Sequence, residues 1–129
     1  MLCSFATHGF YSKGLDNTWK PIYAEKFNQQ SSKRYKRDIE DMEEKDAYKL
    51  LDARPVSFLP LCVEDGQRRI GLVAEEMYEL FPNLVSKDIE GKIQGLDYAS
   101  LTAPIIKLCQ MQQKQIDVLT TRIELLEKK

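Results

Sequence analysis

The sequence predicts an α+β protein, a small mixed globular part with short β-hairpins and helices, followed by a long C-terminal helix forming a trimeric coiled coil. Three observations carry this prediction. Short apolar runs bounded by Pro and Gly turn signals fill the middle of the chain. After Pro104 neither Gly nor Pro occurs up to Lys129, and apolar residues recur there at heptad spacing. The 129 residues are 43% apolar and 30% charged, at the low edge of the globular range. A chain of this size buries a smaller fraction of its surface than a large one. Part of the core is therefore expected from other copies of the chain.

The charge balance excludes several classes. Lys plus Arg is 19 and Asp plus Glu is 20, giving a net charge of −1. A chain that coats nucleic acid usually carries a basic excess, and a membrane-surface anchor carries a polybasic cluster. Neither partner is expected. No run of about 18 apolar residues exists to span a membrane. Met1-Leu2-Cys3-Ser4-Phe5 lacks the charged start and long apolar run of a signal peptide. Cysteines at 3, 62 and 109 are odd in number and lack CxxC spacing. Reduced thiols in a cytosolic setting are expected, with no metal and no cofactor. Gly66, Gly71, Gly91 and Gly95 read as turn glycines, without the spacing of a phosphate loop. His8 stands alone, and no catalytic role is expected for it.

The elements follow in order. Residues 1–30 show no helical period, and Pro21 biases Trp19 to Ala24 towards extended chain. They read as a stem or lead-in strand that cannot bury itself alone. The basic run Ser31 to Arg37 gives way to a mostly acidic stretch from Asp38 to Lys45. Ile39, Met42, Ala47, Leu50 and Leu51 predict an amphipathic helix over 39–53, ended by Arg54-Pro55. Val56 to Val63 and Arg69 to Val73 read as a hairpin around the Asp65-Gly66 turn. Ala74 to Phe81 reads as a short helix with Met77, Leu80 and Phe81 on its apolar side, stopped by Pro82. Leu84 to Ser86 and Ile93 to Leu96 form a second hairpin, turning at Glu90-Gly91. Asp97 or Thr102 caps the last helix, with Pro104 in its first turn. Tyr98 and Leu101 are expected to pack at its base.

In that helix the heptad has Cys109, Ile116 and Ile123 at a, and Ile105, Gln112, Leu119 and Leu126 at d. Polar Gln112 weakens the seam but fixes register. Ile at a with Leu at d leans towards two strands. Arg122 at g and Glu127 at e favour three, because Arg122 can reach Glu127 of a neighbouring copy and resembles the pattern of short parallel trimers. The bland alternative is a long helix packed on its own domain.

The order of motifs is itself informative. Ser31 to Ile39 is followed by Leu51-Asp52-Ala53-Arg54-Pro55-Val56-Ser57-Phe58 and then Ile70-Gly71-Leu72-Val73-Ala74-Glu75-Glu76-Met77. Phe81-Pro82-Asn83-Leu84-Val85 and Leu96-Asp97-Tyr98-Ala99-Ser100-Leu101 then lead into the helix. Over residues 20–129 this resembles the C-terminal intramolecular chaperone, or autoprocessing, domain of phage tail spikes, tail fibres and neck appendages, of the endosialidase type. The resemblance implies residues 1–30 as the end of a fibre stem, 31–101 as the globular chaperone part and 102–129 as the coiled coil. It implies a homotrimer whose folding client is its own upstream β-helical stem. The setting implied is a fibre precursor assembled in the bacterial host cytoplasm, with the chaperone part removed from the mature fibre.

The resemblance also implies a cut. The family pattern Ser-Asp-x-Arg-x-Lys-x-x-Ile falls on Ser31, Ser32, Arg34, Lys36 and Ile39. Ser31 is thus the candidate nucleophile of a self-cleaving Ser-Lys dyad, Lys36 the candidate base, and Gln30–Ser31 the scissile bond. A serine hydroxyl needs a neighbour to take its proton. A lysine does so only when neutral, which calls for burial or a nearby positive charge such as Arg34 or Arg37. Residues five apart do not share a helix face and lie on opposite faces of a strand. The dyad therefore requires a turn between them, or a lysine from another subunit. Ser32 departs from the family's usual Asp, and if that carboxylate orients the dyad, cutting is slow. Without the resemblance, Ser31-Ser32 reads as a cap before a basic turn. Glu76 stands in a Glu75-Glu76 pair where the family has Gln-Glu, as a site residue, a stem contact or a surface acid. A non-cleaving trimerisation module is the main alternative. A processing domain of a membrane-tethered transcription factor is weaker, since no membrane segment follows the coil and residues 1–30 are short and poor in charge for DNA.

Overall fold

The computed structural model describes residues 2–5, 9–12, 14–15, 20–61 and 63–129. The expectations for His8, Trp19 and Cys62 lie outside these residues. The chain divides into two units, residues 1–39 with 61–64, and residues 40–60 with 65–129.

In the first unit, strands β1 (Leu2–Phe5) and β2 (Gly9–Ser12) pair antiparallel, with Leu2 opposite Ser12 and Phe5 opposite Gly9. The front of the chain is thus a hairpin rather than a single lead-in strand, because each strand's backbone groups find partners in the other. Two strands alone are marginal in water, in keeping with a segment that needs company. Residues 20–30 form neither helix nor strand. A single 3-10 turn follows at Lys33–Tyr35.

The second unit begins with helix α1 (Glu44–Tyr48), extended by a 3-10 turn over Lys49–Asp52. The apolar period predicts a start at 39, and residues 39–43 are not helical. Asp38 adopts φ 52°, a left-handed conformation that Asp tolerates better than most residues. A chain reversing there does not enter a helix at the next residue. Glu44 and Asp46 instead supply the negative charge that suits a first turn.

Strands β3 (Val56–Phe58) and β4 (Arg69–Gly71) pair with Val56 opposite Gly71. They are shorter than the apolar runs, since Pro60 has no N–H to offer a ladder. Gly66 takes the positive φ expected of the Asp-Gly turn, 68°. Asp65 closes that turn, accepting from the Gln67 amide at 2.9 Å and from Arg69 at 2.7 Å. The Arg69 hydrogen bond holds the Asp65 carboxyl below its usual range.

Gly71 is not a turn glycine. It lies in β4, where an added Cβ would meet the Tyr98 hydroxyl at 2.8 Å. That hydroxyl accepts from the Leu72 amide at 2.9 Å. Tyr98 thus pins the β3–β4 hairpin instead of packing at the base of the long helix. Gly71→Ala is expected to lower stability by about 1–3 kcal/mol through this clash. Tyr98→Phe, which loses only the hydrogen bond, should lose about 1 kcal/mol. In thermal melts the double variant should lose less than the sum, because the two changes act on one contact.

Helix α2 (Ala74–Leu80) forms as its period predicts, with Met77 only 1% exposed and Phe81 buried behind it. Strands β5 (Val85–Lys87) and β6 (Ile93–Leu96) make the second predicted hairpin, with a bulge at Ser86/Lys87 and Gly91 at φ 82° in the turn. Gly95 lies within β6, so it too is a strand glycine.

Asp97 caps the 3-10 turn Ala99–Leu101 that leads into the last helix, whose own start has no side-chain cap. Its carboxylate accepts from the Ser100 amide at 3.1 Å and from the Ser100 hydroxyl at 2.6 Å. Thr102 donates back to the Ala99 carbonyl at 2.8 Å instead of capping. The Ser100 hydroxyl, and then its amide, hold the Asp97 carboxyl below the ordinary aspartate value of 3.8. A depressed folded value means stability present above the unfolded value and lost as pH falls through the folded one. Between about pH 5 and pH 3 the parent should therefore lose more thermal stability than Asp97→Asn, which has no carboxyl to titrate.

Helix α3 (Thr102–Glu127) is 26 residues long, about 39 Å at 1.5 Å per residue. Pro104, in its first turn, is buried with Leu108 and Met111. Leu108 and Met111 pack on Ala47, with Met42 and Leu50 alongside. One turn further on, Gln115 donates to the Tyr48 hydroxyl at 3.2 Å. A second cluster gathers Met77, Phe81 and Leu101, and Leu50 packs against both clusters. Among the described residues only Pro104 and six hydrophobic side chains are buried, a thin core for this length, as the composition predicts.

Candidate functional site

The candidate dyad lies in the first unit, and a local turn builds it. Ser32 has extended backbone, φ −61° and ψ 141°, and its hydroxyl accepts from the Arg34 amide at 3.4 Å. The Tyr35 amide donates to the Ser32 carbonyl and the Lys36 amide to the Lys33 carbonyl, each at 3.0 Å. A 3-10 turn uses about three residues and rises about 2 Å for each, so it brings the chain back over a short distance. Beyond it Lys36 resumes extended backbone at φ −126° and ψ 149°. Its amine donates to the Ser31 hydroxyl at 2.8 Å and to the Ser31 carbonyl at 2.9 Å.

Of the two ways of joining residues five apart, the single chain displays the first, a turn that brings Lys36 to Ser31. Arg34 sits elsewhere, its guanidinium 4.7 Å from the centre of the Tyr35 ring, where the ring face attracts a cation. Gln30, Ser31, Arg34 and Lys36 are all exposed. Arg37 is exposed as well.

Glu76 belongs to the second unit. Both its oxygens accept from Arg54, at 2.9 and 3.0 Å, a bidentate fork that raises the guanidinium pKa further above its usual value through the Glu76 hydrogen bond. The pair ties the chain ahead of β3 to the first turn of α2. Sequence reasoning named Glu76 and missed Arg54, since partners 22 residues apart leave no spacing signal.

The seam residues Ile105, Cys109, Gln112, Ile116, Leu119, Ile123 and Leu126 are all exposed on α3, as are Arg122 and Glu127. Ile116 is 53%, Ile123 54% and Leu126 67% exposed. The buried stripe of Pro104, Leu108 and Met111 precedes the seam by one residue, about 100° around the helix. The alternative of a helix packed on its own domain therefore accounts for one stripe of α3 and leaves the seam uncovered. Among the described residues no helix is long and apolar enough to cross a membrane.

With this geometry in place, the comparison with known families is direct. Residues 31–86 match the family Peptidase_S74, chaperone of endosialidase. The family is the one to which the order of motifs points, and the match opens on Ser31. No curated protein matches the chain. The Peptidase_S74 match supports an intramolecular chaperone role in general terms, and its name marks a peptidase-related domain. It takes in the Ser31–Lys36 turn, both Arg54 and Glu76, and ends within β5, ahead of α3.

Proposed function

We propose that the chain is an intramolecular chaperone that trimerises through α3, promotes folding of an upstream phage-fibre stem, and then releases itself by cutting Gln30–Ser31. One observation carries the reading: within the Peptidase_S74 stretch the Lys36 amine lies 2.8 Å from the Ser31 hydroxyl.

The chemistry follows from that distance. Ser31 Oγ attacks the carbonyl carbon of Gln30 while neutral Lys36 Nζ takes the hydroxyl proton. The Gln30–Ser31 C–N bond breaks as Lys36 returns that proton to the Ser31 nitrogen. An ester now joins Gln30 to Ser31 Oγ. Water hydrolyses it, leaving a Gln30 carboxylate and a free Ser31 amine and hydroxyl. Each chain reacts once. General-base assistance of this kind is worth about 10²–10⁴ in rate. Ser31 and Lys36 are exposed on the single chain, and a neutral lysine is favoured by burial. Association of copies is the natural source of that cover, which would time the cut to follow assembly.

The test is a denaturing gel with light scattering. Cutting after Gln30 divides 129 residues into 30 and 99, and the larger piece runs at roughly 11.5 kDa of the 15.0 kDa total. A trimeric chain with a persistent 15.0 kDa band would leave a trimerisation module that does not cut. A monomer would overturn assembly, and a monomer that also keeps the 15.0 kDa band would overturn cutting with it.

A further inference from the structure

We infer that Ser32 is a positioning residue for the cut: its hydroxyl caps the turn that carries Lys36 back onto Ser31. The inference rests on the Ser31–Lys36 reading and names what holds that pair in reach. The two adjacent serines divide the work. Ser31 Oγ receives the Lys36 amine at 2.8 Å, whereas Ser32 Oγ receives the Arg34 amide at 3.4 Å.

The turn has few other supports. It is one 3-10 turn of three residues, none of them buried. A first turn fixes several dihedral angles for very few hydrogen bonds, so an isolated one is marginal. Two backbone bonds, the Ser32 cap, the stacking of Arg34 on Tyr35 and the Lys36 amine's own bonds to Ser31 hold it. Removing the cap opens the turn part of the time, and an open turn leaves four residues of extended chain between Ser31 and Lys36. The rate then falls with the closed population, although Ser32 touches neither the scissile bond nor Lys36.

The departure from the family pattern acquires a physical meaning on this account. Asp, Asn and Ser are comparable caps. Ser32 in place of Asp keeps the accepting oxygen and drops only the charge. The amide acceptor, not a carboxylate acting on the dyad, is what position 32 supplies.

The experiment compares cutting rates in the full chain. Ser32→Ala should cut roughly 2- to 30-fold more slowly, the range expected for a lost cap. Ser32→Asp and Ser32→Asn should both restore the parental rate. The pH profile should keep its shape in all of them, since the base is unchanged. An unaltered rate in Ser32→Ala overturns the inference, and so does rescue by Asp without rescue by Asn, which would make charge the agent. Amide-to-Hα couplings of Lys33, Arg34 and Tyr35 supply a readout independent of cutting. They should be small in the parent and larger in Ser32→Ala as the turn opens. Couplings that stay unchanged overturn the cap even if the rate falls. Couplings that rise in Ser32→Ala, in a chain whose parent is never cut, overturn the cleavage reading and leave the cap standing.

Discussion

Ser31→Ala leaves the chain whole at 15.0 kDa under conditions in which the parent yields its 30- and 99-residue pieces. Lys36→Ala slows the same cut by at least about 10²-fold, the lower end of what a positioned base contributes. Lys36→Arg does not rescue it, because a guanidinium stays protonated and cannot take the hydroxyl proton. Mixing decides between routes. The amine reaches the hydroxyl of its own chain at 2.8 Å, so mixed trimers of Ser31→Ala and Lys36→Ala chains should give no product. Product from such mixtures would show a lysine working across subunits. A cut that persists in Ser31→Ala would end the dyad proposal.

Ile116→Asp is expected to turn a trimer of about 45 kDa into a monomer of 15.0 kDa by light scattering. Ile116 stands in the middle of the exposed seam, 53% open on the single chain. In a three-stranded coil it would be buried with its two copies, and an unpaired charge there has no partner. Removing such a side chain alone, as Ile116→Ala, costs about 2–5 kcal/mol per site when the cavity does not collapse. The second unit should stay folded in the monomer, because α1 holds a different stripe of α3 through Leu108 and Met111. Far-ultraviolet circular dichroism would then change little while the mass falls threefold. The cut should fall with the mass if association is what covers Ser31 and Lys36. Loss of mass with full cutting would separate the two functions.

What was legible in the sequence is mostly what is local. The existence of the long α3, the Asp65-Gly66 turn and the apolar side of α2 depend on spacings of a few residues, and each falls where its local pattern puts it. Ser31 and Lys36 were legible only through the ordered motifs, since spacing alone leaves their meeting open until a turn is placed between them. The misses are long-range or conformational. Tyr98 meets Leu72 across 26 residues and Arg54 meets Glu76 across 22, and no periodicity encodes either. Residues 39–43 have apolar spacing that suits a helix, but the left-handed backbone at Asp38 takes the chain another way. Gly71 reads as a turn glycine because Gly is common in turns. Its actual reason is the tyrosine hydroxyl lying against its backbone.

The one-residue offset between the two stripes of α3 has a geometric consequence. A stiff helix cannot turn its seam towards partners without turning α1 by the same angle. In the proposed trimer the coil would therefore act as an indexing shaft as well as a clasp, setting the azimuth of each α1 about the common axis. Shifting the seam's phase by one residue would swing each α1 about 100° round its own α3, giving it a new azimuth about the common axis, and leave its packing on Leu108 and Met111 untouched.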